Sequence, residues 1–122
     1  MKDYLYEKDL RVMKMNILES TRHDMAVREL AKMFGLRRQE MRKTLVNRCD
    51  MAYLENLPTR FEAYTTMKNT ISETDQLLGT ALLTTHLHIL SEDEVSSVVE
   101  AVQNGKMLVE EAFEEIREVL LQ

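Results

Sequence analysis

VRELAKMFGLRRQEMRKTLVNR, residues 27–48, joins an apolar helical segment directly to a strongly cationic one. In its first half apolar residues recur at helical spacing up to Gly35, a residue typical of the end of a helix. Its second half begins near Arg37 or Arg38, and five of the twelve residues from Arg37 to Arg48 are Lys or Arg. The stretch therefore predicts two helices joined by a short turn, with the positive charge on the second.

The composition of the rest of the chain also favours helices. Only three glycines and one proline occur in 122 residues. Turns between strands usually need Gly or Pro, so a chain with so few of them is expected to be all-α with long helices. Its length suits one compact domain, or one small domain followed by an oligomerisation segment.

The charge is distributed unevenly along the chain. Residues 1–50 contain 12 Lys and Arg against 8 Asp and Glu, a net +4, whereas residues 51–122 contain 4 against 13, a net −9. Pro58 marks the clearest internal boundary. We therefore predict a basic region at 1–57 and an acidic helical region at 58–122 with a different task. The alternative is that both regions are only solvated surfaces.

Several classes of protein are disfavoured. A single cysteine, Cys49, allows no intrachain disulfide and no Cys-rich zinc site. No run approaches the roughly 20 apolar residues of a membrane span, and no secretory signal is evident, so a cytoplasmic protein without a membrane partner is expected. His86 and His88 would share a face only on a strand, and without further ligands we predict neither metal nor other cofactor. No pattern supports an enzyme.

Three helices are predicted before Pro58. They cover residues 4–19, residues 25–34, and a third segment that starts at 37 or 38 and extends as far as 56. Polar residues at Ser20, Thr21 and Asp24 are expected to break the chain between the first two. Cys49 is expected to be a small core residue of the third helix.

Three or more helices are predicted after Pro58. Thr59 and Glu62 have the spacing of a capping box, and the helix they begin would be very long unless Gly79 divides it. A short strand at 85–90 is the alternative there. A second capping box, at Ser91 and Glu94, begins the next helix, which is expected to end at Asn104–Gly105 before a final helix.

The spacing of residues 27–46 is that of a compact two-helix motif. Ala31 is a small residue where a second helix can pack closely, and Gly35, four residues later, suits a turn that needs a left-handed backbone. This stretch resembles the helix-turn-helix domains of transcriptional regulators. It departs from their pattern at Arg37, where Ser or Thr is common, and at Thr44, which is usually aliphatic. The apolar positions that match are Leu30, Phe34, Leu36 and Met41.

The resemblance implies that the start of the second helix enters the major groove of DNA. Arg can pair with guanine and Gln with adenine through two hydrogen bonds. The predicted base readers are therefore Arg38, Gln39 and Arg42. Cations further from the bases would contact phosphates and add affinity without sequence information. The predicted phosphate contacts are Arg28, Lys32, Arg37, Lys43 and Arg48.

The acidic region suits self-association, because regulators of this kind usually bind DNA as dimers. The alternatives are that its apolar stripes form the monomer's own core, or that they bind another protein. The predicted interface positions are Phe61, Tyr64, Ile71, Leu78, Val98, Val102, Phe113 and Ile116. We predict an all-α, sequence-specific DNA-binding transcriptional regulator, not an enzyme, that acts as a homodimer on double-stranded DNA. The rivals are a phage-type DNA-packaging or replication accessory protein of higher oligomeric state, and a helical adaptor or antagonist that does not bind DNA.

Overall fold

The computed structural model describes residues 2–70, 87 and 89–122. Over these residues the fold is all-α, as predicted. The chain divides into two compact units, residues 1–58 and 59–122. No helix of the described part is long and apolar enough to cross a membrane. The helices are α1 Lys2–Leu18, α2 Thr21–Phe34, α3 Arg38–Arg48, α4 Met51–Glu55, α5 Leu57–Lys68, α6 Glu92–Gln103 and α7 Val109–Leu121.

The first unit is built around the packing of α2 on α3, with α1 in contact with α2, α3 and α4. Aliphatic side chains from all of these elements meet in one core, and each fully buried Leu contributes roughly 1.5–3 kcal/mol of transfer free energy. On α1, Leu18 is buried, whereas Leu10 and Ile17 are half-buried. Among the side chains of this unit whose burial is described, those with no exposed surface are Leu18, Val27, Leu30, Met41, Leu45, Leu54 and Leu57.

The end of α2 has the geometry that the sequence predicts. Gly35 adopts the left-handed conformation with φ of 67°. The N–H of Leu36 donates to the carbonyl of Ala31 at 2.9 Å, and the N–H of Gly35 donates to that of Lys32 at 3.3 Å. This pair of bonds is a Schellman motif, which satisfies carbonyl groups that the helix end would otherwise leave open.

The start of α2 differs from the prediction. The helix begins at Thr21, so Asp24 lies inside the helix and not in a break before it. His23 anchors this first turn: its Nε2 donates to the carbonyl of Leu54 at 2.8 Å, and its Nδ1 lies 2.7 Å from Ser20 Oγ. The first turn of α2, which the sequence did not predict, thus contacts α4 through a residue thirty-one positions later in the chain.

The predicted continuation of the third helix to residue 56 is wrong. The backbone is extended at Cys49, with φ of −118°, and α3 ends at Arg48. Asp50 then caps α4, because its Oδ1 accepts a hydrogen bond of 2.7 Å from the N–H of Tyr53. Cys49 lies in the segment that joins α3 to α4, and it is buried, as expected of a small core residue.

The predicted capping box at Thr59 and Glu62 is also wrong, because α5 already begins at Leu57. Pro58 lies in the first turn of α5, where the missing N–H has no helical acceptor to lose. The predicted extension of this helix through Gly79 lies outside the described residues. So does most of the alternative strand at 85–90, of which only Leu87, Ile89 and Leu90 are described.

In the second unit α6 packs against α7. The predicted capping box at the start of α6 is confirmed: the N–H of Glu94 donates to Ser91 Oγ at 3.3 Å, and the N–H of Ser91 donates to Glu94 Oε1 at 3.0 Å. The predicted break at Asn104–Gly105 is present, with Gly105 at φ of 70°. Among the described residues of this unit, the buried apolar ones are Tyr64, Leu87, Ile89, Leu90, Val95, Val98, Val99, Ala112, Ile116 and Leu120.

Candidate nucleic-acid interface

Helix α3 carries a line of exposed polar residues. Gln39, Lys43 and Asn47 are exposed and follow one another at intervals of four residues, so they lie on one side of the helix. We call these three residues the α3 line. Arg11 of α1 contacts its far end, where Nη1 donates to Asn47 Oδ1 at 2.7 Å. The surface therefore presents two amides and two cations in succession, all of them able to bond with bases or phosphates.

A single carboxylate at the edge of this surface binds three arginines. Asp24 Oδ2 lies 2.8 Å from Arg28 Nε, and Asp24 Oδ1 lies 3.0 Å from Arg42 Nη2 and 3.6 Å from Arg38 Nε. We call these four residues the Asp24 cluster. Its net charge is +2, and the Asp24 side chain is only 17% exposed. Sequence reasoning missed Asp24, because two of its partners lie on α3 and only folding brings them to it.

Arg42, one of the three predicted base readers, is buried. Its side chain is 10% exposed, and its Nε has no hydrogen-bond partner among the described residues. The reason is its place on α3, where it flanks the buried residues Met41 and Leu45. In this structure its guanidinium bonds with Asp24 and is not presented to a groove, so the prediction that Arg42 reads bases does not fit its position.

The other two predicted base readers, Arg38 and Gln39, lie exposed at the start of α3. Thr44, which departs from the helix-turn-helix pattern, is buried like the aliphatic residue it replaces. These positions show that the register of α3 presents residues 38, 39 and 43 outward and residues 41, 44 and 45 inward.

The N-terminus of α3 is closed by Glu40 and not by the residue before the helix. The N–H of Arg37 donates to Glu40 Oε1 at 3.0 Å. Arg37 itself has no side-chain acceptor, so only this half of a capping box forms. The carboxylate also lies in the first turn, where it complements the positive end of the helix dipole. Glu40 therefore has a structural task, which explains an acidic residue within a cationic surface.

The predicted phosphate-contacting residues lie mostly on the surface. Arg37 and Lys43 are exposed, whereas Arg48 is half-buried. Arg28 pairs with Asp24, and Lys32 lies 3.5 Å from Glu29 on the surface of α2. The Lys32–Glu29 pair is exposed on both sides, and such pairs are worth at most about 1 kcal/mol, so a phosphate can displace Glu29 at small cost.

Helix α1 adds two cations that sequence reasoning did not include. Besides Arg11, Lys14 reaches the end of α3, where Nζ donates to the carbonyl of Val46 at 3.3 Å. Lys14 thereby also complements the negative end of the α3 dipole. The available signal was that Arg11 and Lys14 are three residues apart on the helix predicted at residues 4–19, and so share one side of it. Only the contact of α1 with α3 identifies which neighbour they face.

Six of the eight predicted interface positions are among the described residues of the second unit. Tyr64, Val98 and Ile116 are buried in the unit's own core, so they are not available to a partner in this structure. Phe61, Val102 and Phe113 are half-buried. The remaining two predicted positions, Ile71 and Leu78, lie outside the described residues. His86 and His88 do as well, and no group of three or more potential metal ligands occurs in the described part of the chain.

The comparison with protein families gives one match. A family model with the description EhaM-like covers residues 14–122. The chain belongs to the EhaM-like family. The region shared with that family begins within α1 and includes all of α2 to α7, so the EhaM-like region contains the Asp24 cluster and the α3 line. Neither the curated proteins nor the solved structures gave a match.

Proposed function

We propose that α2 and α3 form a helix-turn-helix that binds double-stranded DNA, with the start of α3 in the major groove. The observation that carries this proposal is the exposed face of α3, where Arg38, Gln39 and Lys43 stand beside one another on a helix whose other side packs in the core. The three-residue turn from Gly35 to Arg37 agrees with the turn length of such motifs.

The exposure of each cation supports a division of tasks within this proposal. Arg38 and Gln39 read base edges, whereas Arg42 holds Asp24 in the interior. Lys43 and Arg37 bind phosphates near the centre of the contact. Other cations of the first unit bind phosphates at its edges, and these are Arg11, Lys14, Arg28, Lys32 and Arg48.

The positive charge of the first unit supports a polyanionic ligand, although the chain as a whole has a net charge of −5. Residues 27–48 contain seven Lys and Arg against two Glu, and unit 1–58 has a net charge of +3. Unit 59–122 has a net charge of −8, so it repels DNA and leaves the first unit as the contact. Cations released from the phosphates make such binding steeply dependent on salt.

We further propose that the protein is a transcriptional regulator that acts in the cytoplasm as a homodimer. One such motif covers a single half-site, and two copies reach half-sites about one helical turn apart. Phe61, Val102 and Phe113, the half-buried positions of the second unit, are the residues that such a dimer would cover. A mass of eight or more subunits would instead favour a DNA-packaging accessory protein.

The proposal is tested by fluorescence anisotropy of a labelled duplex of mixed sequence over a series of salt concentrations. Arg37→Ala/Lys43→Ala removes two proposed phosphate contacts. Lys68→Ala/Lys106→Ala removes the same charge from the acidic unit and serves as the control. The first variant is expected to lower the slope of log affinity against log salt by about 1.8, because each phosphate contact contributes about 0.9. The control should keep the wild-type slope.

Two results would count against DNA binding at this surface. A folded, helical protein that binds no duplex even at low salt would exclude the function and favour an adaptor that binds only protein. Equal losses in the two variants would show that DNA responds to total charge and not to α3.

A further inference from the structure

We propose that Asp24 is a positioning residue that orients Arg38 so that it selects guanine. This inference rests on the proposed DNA binding and adds the base that is selected and the residue that enforces the selection. Asp24 would not touch DNA itself. It would act through the contact between its Oδ1 and Arg38 Nε.

The carboxylate of Asp24 is held in place by two other arginines. Arg28, one turn further along α2, bonds to Oδ2, and the buried Arg42 bonds to Oδ1. Both oxygens are therefore engaged from opposite ends of the carboxylate, which restricts its rotation. The orientation that remains is the one that faces Arg38.

The contact leaves the guanine-binding part of Arg38 available. The closest approach to Asp24 is at Nε, 3.6 Å away, and not at the two terminal nitrogens. Those terminal nitrogens form the fork that bonds to O6 and N7 of guanine. The Arg38 side chain is also 45% exposed at the start of α3, the end that enters the groove in proteins of this class.

Orientation matters because a free arginine side chain has many rotamers. An ion pair that restricts the rotamers of Arg38 before binding reduces the entropy lost when both hydrogen bonds form. A mobile Arg38 would still attract phosphates, which gives affinity but no sequence information. Loss of Asp24 is therefore expected to lower discrimination between bases without lowering total affinity.

The test needs a background in which Asp24 can be changed without leaving Arg42 buried and uncompensated. Arg42→Met supplies it, because the aliphatic side chain fills similar space without a charge. In this background Arg28 still pairs with Asp24 Oδ2, and Arg38 is the ion-pair partner that remains at Oδ1. In this background Asp24→Asn is compared with Glu29→Gln, which removes the same charge from an exposed position of the same helix. Circular dichroism confirms that each variant is helical. Asp24→Glu in the wild-type chain is a second route, since it keeps a charge beside Arg42 but moves the carboxylate.

The measurement is a selection of preferred sequences from a random duplex library, followed by competition titrations of the selected duplex and its single-base variants. Arg38→Ala in the Arg42→Met background identifies the base pair that Arg38 reads. We expect guanine at that position, preferred about tenfold over the next base by the Arg42→Met protein. Asp24→Asn should reduce this preference to about twofold or less, Glu29→Gln should retain it, and Asp24→Glu should reduce it in part.

The outcomes separate this inference from the function on which it rests. A guanine preference that depends on Arg38 but survives both changes at Asp24 would overturn the positioning role and leave DNA binding intact. A selected sequence with no base that depends on Arg38 would also overturn it. If the wild-type protein binds no member of the library, the proposed function itself fails.

Discussion

Asp24→Asn is expected to destabilise the first unit, mainly through its effect on Arg42. The Asp24 carboxylate is 3.0 Å from a guanidinium whose side chain is 10% exposed. Removing one partner of a buried pair typically costs about 3–5 kcal/mol, because the other charge stays buried without compensation. The 17% exposure of Asp24 favours the lower end, about 3 kcal/mol. Loss of the more exposed Arg28 pair adds little.

A double-mutant cycle with Arg42→Met tests this reasoning. Arg42→Met alone should cost about 1 kcal/mol, because Asp24 keeps its ion pairs with Arg28 and Arg38 and is not left as an uncompensated charge. The double variant should then cost about 1 kcal/mol as well, so the two changes would couple by about 3 kcal/mol. Urea unfolding followed by far-UV circular dichroism measures each free energy. The account of the Asp24 cluster is refuted if Asp24→Asn costs under about 1 kcal/mol, or if the costs simply add.

Three further predictions concern single positions and use the same unfolding measurement. Gly35→Ala should cost about 1–2 kcal/mol, because its φ is 67°, and Gly105→Ala at φ of 70° should match it; no loss at either would contradict a left-handed requirement. Leu45→Ala should cost about 2–5 kcal/mol because Leu45 has no exposed surface, whereas Val12→Ala, at a 53% exposed position, should cost under about 0.5 kcal/mol. Ser91→Ala should cost about 0.5–2 kcal/mol through loss of the cap on α6, and an unchanged stability would show that the cap is dispensable.

Helix ends were predictable where a local residue fixes them. The left-handed helix end at Gly35 and the capping box at Ser91 depend on residues within five positions of each other, and both appear as expected. The break at Cys49 was not predicted, because the apolar stripe of α3 continues through it and Asp50 gave the only local signal. The helix start predicted at Thr59 is two residues late, because Pro58 is tolerated in the first turn of a helix that begins at Leu57.

The candidate site depended on contacts that spacing cannot reveal. The sequence identified the exposed cations of α3, because helix periodicity distinguishes Gln39 and Lys43 from the core. It could not show that Arg42 pairs with Asp24, since that contact joins two helices and residues eighteen positions apart. Arg11 was missed for the same reason, because its contact with Asn47 joins two helices that are far apart in sequence.

The position of the DNA contact can be measured most directly by titrating the isotope-labelled protein with a duplex and following its amide resonances by NMR. The account predicts that shifts concentrate at the turn from Gly35 to Arg37, along the start of α3, and around Arg11 and Lys14 of α1. The amide chemical shifts of residues 89–122 should not change at a low protein-to-DNA ratio. Shifts confined to the acidic unit, or no shifts at low salt, would contradict DNA binding through α3.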